Sequence, residues 1–162
     1  MGTFSKRTFE GFGHFGKSLG AVWAVRGALP GILSGKSIPA PFRERLMLAI
    51  TAVNRCRYCA FVHCKAALSA GVSREQLDGI FAHDFANAPE EERVALAYAQ
   101  HWAEMKGHPD ADAVAKIEET YGAEMARTIE ATLVFMNLNN LSGNTVDWVL
   151  NKISFGALGG GS

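Results

Sequence analysis

Apolar residues recur along this chain at intervals of three and four positions, which is the period of an amphipathic α-helix. One apolar stripe predicts a helix over residues 18–29, which Pro30 and Gly31 end. Another predicts a helix over residues 42–53. No stretch shows the strict alternation of apolar and polar residues that favours a β-strand. The pattern therefore predicts an all-α fold.

Residues typical of helix boundaries divide the rest of the chain. A capping box at residues 73–76 opens a short helix, and Pro89 suits the first turn of the helix after it. Asp110 is expected to cap a further helix that ends near Gly122. The last helix is predicted to be long, over residues 123–152.

The domain organisation follows from chain length and from the ends of the chain. The chain has 162 residues, enough to bury a core of its own, so residues 18–155 are predicted to form one helical domain. Residues 1–17 are rich in glycine and phenylalanine without a clear period and are predicted to be a flexible segment. Residues 156–162, which end in Gly-Gly-Gly-Ser, are predicted to be a flexible tail.

Composition narrows the class of protein. Hydrophobic residues make up 48% of the chain, and the formal net charge is zero. This balance gives no electrostatic reason to expect a nucleic acid or an acidic membrane as partner. No apolar run approaches the roughly 18 to 20 residues of a membrane span, and no clean signal sequence is visible. Three cysteines are too few for a disulfide scaffold. We therefore expect a cytoplasmic protein with no membrane and no nucleic-acid partner.

The candidate chemistry lies in the run Cys56-x-x-Cys59-x-x-x-His63. On a helix these three side chains share one face, and the N–H groups at a helix start favour a thiolate. Three interpretations remain open at this point: a redox dithiol, a zinc site, and cysteines that only fill the core. Zinc prefers four ligands, usually from two separated pairs, whereas this set comes from one helix. Cys64 lies about 140° around the helix from Cys59 and is read as a packed thiol.

A second motif lies near the N-terminus. Gly11, Gly16, Lys17 and Ser18 satisfy the phosphate-loop pattern G-x-x-x-x-G-K-S. The pattern works only where a buried strand delivers the loop to a helix, and the preceding residues do not read as such a strand. We therefore favour a glycine-rich loop before a helix and keep a nucleotide site as an alternative.

Two groups of residues carry weaker expectations. Four asparagines fall within the last predicted helix, where asparagine is a poor helix former; they are Asn137, Asn139, Asn140 and Asn144. Solvent exposure is the favoured explanation, with a subunit interface or a pocket lining as the alternatives. Trp23, Trp102 and Trp148 are most simply aromatic residues of the core or of an interface.

The dithiol motif extends upstream to a glutamate. Glu44 precedes the first cysteine by twelve positions, and the pattern Glu44, Cys56, Cys59, His63 resembles the AhpD-like alkylhydroperoxidase group of the carboxymuconolactone decarboxylase superfamily. The resemblance is strong over about residues 29–82. The pattern formed by these four residues is far more specific than a CxxC pair alone.

The resemblance implies an AhpD-like helical bundle with the CxxC at the N-terminus of a central helix, assembled into homo-oligomers such as trimers or hexamers. It implies a peroxidase that needs no metal or other cofactor, in which Cys59 attacks the hydroperoxide and Cys56 resolves the product to a disulfide. Glu44 and His63 would relay protons, and a dithiol such as a lipoyl-type protein would reset the enzyme. Tyr58 stands where the peroxidase has a histidine, and it is expected to hydrogen-bond or line the pocket. The alternative is a redox-sensing or structural oligomer of the same superfamily that does not turn over.

Overall fold

The structure is a computed structural model that describes residues 5–155 and 157–159. The all-α prediction is confirmed, since no β-strand occurs in these two ranges. The helices in chain order are α1 Phe12–Val25, α2 Leu29–Leu33, α3 Ala40–Asn54, α4 Arg57–Ser69, α5 Arg74–Phe81, a 3₁₀ turn Glu90–Glu92, α6 Arg93–Glu104 and α7 Ala111–Ile153.

Helix α3 is the centre of the bundle, because it packs against α4, α5, α6 and α7. Its predicted apolar stripe is buried at Phe42, Leu46, Ala49 and Ile50. The largest fully buried apolar side chains are Ile32, Ile38, Leu46, Met47, Leu48, Ile50, Ile80, Leu96, Ile129, Leu133 and Met136. Burial of a large aliphatic side chain contributes roughly 1.5–3 kcal/mol. The core therefore holds α3 against the helices that carry the candidate chemistry.

The first helix differs from its prediction. It begins at Phe12 rather than at residue 18, and it ends at Val25. Residues 12–17, predicted to be part of a flexible segment, are helical, and Gly13 and Gly16 lie inside the helix with open space around them. Gly11, at the N-cap of this helix, does need a glycine conformation, with φ of 152°. The phosphate-loop motif therefore lies mostly within a helix and not in a loop after a strand.

Pro30 also acts differently from the expectation. It was predicted to end a helix, yet it lies in the first turn of the short helix α2. The missing N–H of proline costs nothing there, because the first helical N–H groups have no partner within the helix. The chain between α1 and α2 therefore turns before the proline and not at it.

The part of the chain after α4 follows the predicted boundaries closely. Asp110 caps α7 by accepting the Ala113 N–H at 2.9 Å, and the predicted break appears at Gly122, whose φ of 77° interrupts the helix. The capping box at Ser73 and Gln76 opens α5 as expected. Each boundary depends on a local interaction, which explains why the sequence reveals it.

Parts of both predicted flexible segments, residues 1–4, 156 and 160–162, lie outside the described residues. The proposed domain boundaries stay predictions. Among the described residues, no helix is both long enough and apolar enough to cross a membrane. Within that part of the chain, the tail contacts α7 through a hydrogen bond from Asn151 to the Gly159 carbonyl at 2.9 Å.

Candidate active site

The dithiol lies where α3 ends and α4 begins. Arg55 takes a left-handed conformation after α3, with φ of 59°, and turns the chain into α4. Cys56 is then the N-cap of α4, and its Sγ accepts the backbone N–H of Cys59 at 3.4 Å. A sulfur at a helix N-cap receives N–H groups that have no partner within the helix. The turn between the two helices therefore places Cys56 where a thiolate is stabilised.

The two sulfurs of the pair differ in acidity. A hydrogen bond from the Cys59 thiol lowers the pKa of Cys56 to about 7, against burial, with help from the N–H groups of Cys59 and Tyr58. The same hydrogen bond raises the pKa of Cys59, and burial raises it further. In the resting pair the negative charge therefore lies on Cys56, while Cys59 holds the shared proton.

The two sulfurs also differ in access. Cys56 is 1% exposed, whereas Cys59 is only half-buried. A small molecule from solvent therefore meets the sulfur of Cys59 first, while the charge rests on the sulfur of Cys56 behind it.

A carboxylate and an imidazole accompany the dithiol. His63, one turn after Cys59 in α4, places its Nδ1 2.7 Å from the Oε2 of Glu44. Glu44 is 3% exposed and lies in α3. Burial raises the pKa of Glu44, but the hydrogen bonds from His63 and Arg43 outweigh it and the pKa falls below its ordinary value. An ionised Glu44 requires the hydrogen on Nδ1, which leaves Nε2 of His63 for proton exchange.

Helix α7 forms a wall of the site that the sequence did not reveal. A methyl group added at Gly143 would lie 2.9 Å from the Sγ of Cys56 and 4.0 Å from the Sγ of Cys59. A side chain at this position would therefore collide with the buried sulfur. Gly143 lets α7 approach the dithiol closely.

One turn further along α7, Asp147 ties the dithiol turn to the N-terminal segment. Its carboxylate is fully buried and accepts hydrogen bonds from Lys6 at 2.7 Å, Arg57 at 2.8 Å and the Tyr58 hydroxyl at 2.8 Å. Burial raises the pKa of Asp147, but the hydrogen bonds from Lys6 and Tyr58 bring it below its ordinary value. Tyr58, between the two cysteines, is thus held by α7.

The expectation of exposed asparagines is wrong for two of the four. Asn140 and Asn144 have no exposed surface, whereas Asn139 is exposed. Asn140 donates to Thr51 at 3.1 Å and accepts from Asn54 at 3.2 Å. A signal was present in the sequence, because Asn140, Asn144 and Asp147 continue the spacing of the buried apolar residues earlier in α7. Helix propensity alone does not tell which face of a helix is buried.

The other candidates do not join this site. Cys64 is packed against the core as expected, and burial raises the pKa of its thiol. Trp102 is buried, whereas Trp23 and Trp148 are 67% and 43% exposed and so are not core residues of the single chain. Within residues 5–155 and 157–159, no cluster of three or more His, Cys, Asp or Glu side chains could hold a metal ion.

One comparison with known proteins gives a match. The family model described as "Carboxymuconolactone decarboxylase family" matches residues 20–101, which include Glu44, both cysteines of the dithiol and His63. No curated protein and no solved structure gives a significant match to the chain. The match covers half of the chain and contains the dithiol motif, while the wall formed by α7 lies outside it.

Proposed function

The chain belongs to the carboxymuconolactone decarboxylase family, and we propose that it is a cysteine-based peroxidase that reduces alkyl hydroperoxides through the Cys56–Cys59 dithiol. The observation that carries this proposal is a pair of cysteines at the start of α4, one turn before a histidine that is hydrogen-bonded to the buried Glu44. Peroxide reduction needs a thiolate, a proton donor for the leaving oxygen and a second thiol. These four residues supply those groups.

The first step is oxidation of Cys59, the more accessible sulfur. The shared proton moves from Cys59 to Cys56 along the hydrogen bond that joins them, and this leaves the thiolate on Cys59. That thiolate attacks the terminal oxygen of the hydroperoxide, so an S–O bond forms and the O–O bond breaks. The leaving alkoxide takes a proton from His63 and departs as an alcohol. Glu44 stabilises the imidazolium that donates it.

The second step is resolution of the sulfenic acid. The Cys56 sulfur attacks the sulfur of Cys59, so an S–S bond forms and hydroxide leaves with the Cys56 proton as water. The dithiol has then given two electrons to the peroxide. The two cysteines are neighbours at one helix start, so the disulfide needs only a local adjustment. A dithiol reductant, such as a lipoyl-type protein, returns the pair to its reduced form.

We propose that the protein works as a homo-oligomer, either a trimer or a hexamer. Its proposed location is the cytoplasm, where thiols stay reduced. Helix α1 supports association because it has no buried residue in the single chain. An apolar stripe on it faces outward, with Phe12 at 96% and Trp23 at 67% exposure. Exposed apolar stripes of this kind are typical of interfaces. A change of Trp23 to Lys is expected to lower the molar mass measured by light scattering.

The experiment that tests the peroxidase proposal follows thiol loss after addition of cumene hydroperoxide to the reduced protein. The unchanged protein is expected to lose two thiols to an internal disulfide. Cys56→Ser is expected to stop at a sulfenic acid on Cys59, and Cys59→Ser is expected to be inert. Cys64→Ser is the matched control, because Cys64 stands outside the pair, and it should behave as the unchanged protein. Equal, slow thiol loss in all four proteins would overturn the proposal.

A second measurement separates an enzyme from a redox sensor of the same family. With dihydrolipoamide as reductant, an enzyme consumes many equivalents of peroxide for each subunit. A sensor or structural oligomer consumes one equivalent and stops. The half-buried position of Cys59 supports turnover, because it leaves a sulfur of the pair within reach of solvent.

A further inference from the structure

The buried amide of Asn140 has a fixed orientation. The Thr51 hydroxyl donates to the Met47 carbonyl at 2.7 Å, so its oxygen is available only as an acceptor toward Asn140. The group of Asn140 that meets Thr51 at 3.1 Å is therefore the NH₂ group, while its oxygen accepts from Asn54 at 3.2 Å. One N–H of Asn140 is thus used by Thr51, and a second N–H remains.

Asn140 also stands on the face of α7 that meets the dithiol. Gly143, three positions later and on the same helix face, approaches both sulfurs. A hydrogen bond from the Asn140 side chain lowers the pKa of Cys59, against the larger effects of Cys56 and of burial. The remaining N–H of Asn140 is therefore available to the sulfur of Cys59.

Asp147 has the opposite effect on the sulfur of Cys56, because it disfavours negative charge there. It lies one turn beyond Gly143, fully buried, and holds the Tyr58 hydroxyl at 2.8 Å. Its negative charge raises the pKa of Cys56, although hydrogen bonds to that sulfur outweigh it. One face of α7 therefore favours charge on Cys59 and opposes charge on Cys56.

We infer that α7 directs the shared proton of the dithiol: the Asn140 amide donates a hydrogen bond to the Cys59 sulfur when that sulfur carries the negative charge, and Asp147 disfavours the charge on Cys56. This inference rests on the proposed function, since it explains how the charge leaves Cys56 for the accessible sulfur. Asn140 contacts a reacting atom, whereas Asp147 is a positioning residue that acts through Tyr58 and through its field.

Other charged and titratable groups near the dithiol also influence where its negative charge lies. They come from the N-terminal segment, α3, α4 and α7 and are Lys6, Arg43, Glu44, Arg57, Tyr58, His63 and Asp147. Each pairs with another member of this set. A change at the neutral Asn140 leaves these charge pairs intact, so a shifted midpoint cannot come from a lost charge pair.

The test measures the pH profile of alkylation by iodoacetamide in the full-length chain with Cys56→Ser and Cys64→Ser, where Cys59 is the one remaining thiol. Adding Asn140→Ala is expected to raise the midpoint by about one pH unit, because a hydrogen bond to a charged group is lost. The rate with hydrogen peroxide at pH 7 is expected to fall about tenfold. In the chain with Cys59→Ser and Cys64→Ser, Asp147→Asn is expected to lower the midpoint of Cys56.

Asn144→Ala is the matched control, because Asn144 is equally buried and binds the carbonyls of Arg7 and Asn54. It is expected to lower stability without moving the midpoint of Cys59. Asn140→Leu is the second variant, in case Asn140→Ala does not fold. It is neutral, keeps about the same volume, lacks the N–H groups, and is expected to raise the midpoint as well.

The outcomes separate this inference from the proposed function. An unchanged midpoint in folded Asn140→Ala or Asn140→Leu would overturn the inference, and so would an equal shift in Asn144→Ala. If Cys59 reacts with peroxide no faster than an ordinary thiol while the midpoint still depends on Asn140, the proposed function fails and the inference stands.

Discussion

Two neighbouring residues of α3 carry buried charges into different parts of the molecule. Glu44 is 3% exposed and reaches His63 on α4, while Arg45 is 5% exposed and reaches Glu92 ahead of α6. Successive residues on a helix point about 100° apart, so one helix serves both regions. Both carboxylates are fully hydrogen-bonded, and the two pairs differ in the chemistry and the solvent exposure of the basic partner.

The Arg45 pair has the geometry of a structural link. Its guanidinium donates to both oxygens of Glu92, at 2.6 and 2.7 Å, and a further nitrogen donates to Gln76 at 3.3 Å. Gln76 belongs to the capping box of α5. Arginine stays charged at all accessible pH values. This pair ties α3 to α5 and to the start of α6.

The Glu44 pair has the geometry of a reactive group. One oxygen of Glu44 binds His63, and the other binds Arg43 at 2.8 Å. The His63 side chain is 21% exposed, so solvent can reach it. Histidine titrates near neutral pH. The comparison teaches that burial of charge alone does not mark a site; a titratable partner with access to solvent does.

The largest expected effect is a loss of stability when the Arg45–Glu92 pair is broken. Arg45→Met leaves the Glu92 carboxylate buried without its cation, and the free energy of unfolding should fall by about 3–5 kcal/mol. Chemical denaturation measures this. The double change Arg45→Met, Glu92→Met should recover most of the loss, and a loss in the double variant as large as in the single one would contradict the assignment. Folded Arg45→Met should keep the alkylation profile of the dithiol.

The second effect is a slower reaction with peroxide when the Glu44–His63 pair is altered. Glu44→Gln removes the charge that stabilises the His63 imidazolium, and peroxide reduction should slow about a hundredfold. Stopped-flow oxidation of the reduced protein measures the rate. Glu119→Gln removes a carboxylate from an exposed pair and should leave the rate unchanged. If Glu44→Gln lowers stability as much as Arg45→Met and leaves the rate unchanged, the two pairs do not differ in role.

The pH dependence of alkylation tests whether the start of α4 stabilises a thiolate. The lowered pKa of Cys56, about 7, means that thiolate is present at lower pH than in an ordinary cysteine. Alkylation of the reduced protein should therefore rise with pH through a midpoint near 7, against about 8.5 for a free thiol. The absorbance of thiolate at short ultraviolet wavelength gives an independent reading. A midpoint above that of a free thiol would show that the helix start does not stabilise the charge.

The smallest effect concerns the close approach of α7. Gly143→Ala places a methyl group against the Cys56 sulfur, and overpacking should lower stability by about 1–3 kcal/mol and slow disulfide formation. Gly16→Ala is the matched control, because it lies inside α1 with open space around it. That change should stabilise the chain by about 0.5–1 kcal/mol, since alanine is a better helix former than glycine.

Local signals explain what could be predicted from the sequence. The all-α fold, the break at Gly122 and the caps at Ser73 and Asp110 depend on residues close together in the chain. The same holds for the shared face of Cys59 and His63, which helix geometry sets. The sequence does not reveal the start of α1, because Gly13 and Gly16 lower its intrinsic helix propensity and yet lie within the helix.

The sequence by itself determined a helical chain with a dithiol and a histidine at one helix start, and its family pattern added Glu44. Only the tertiary structure decided that Asn140, Gly143 and Asp147 form a wall of the site. They lie more than eighty positions from the dithiol, so local propensity carries no information on that contact. Packing of α7 against α3 and α4 creates it, and the same burial that hides these polar groups strengthens their effect on the sulfurs.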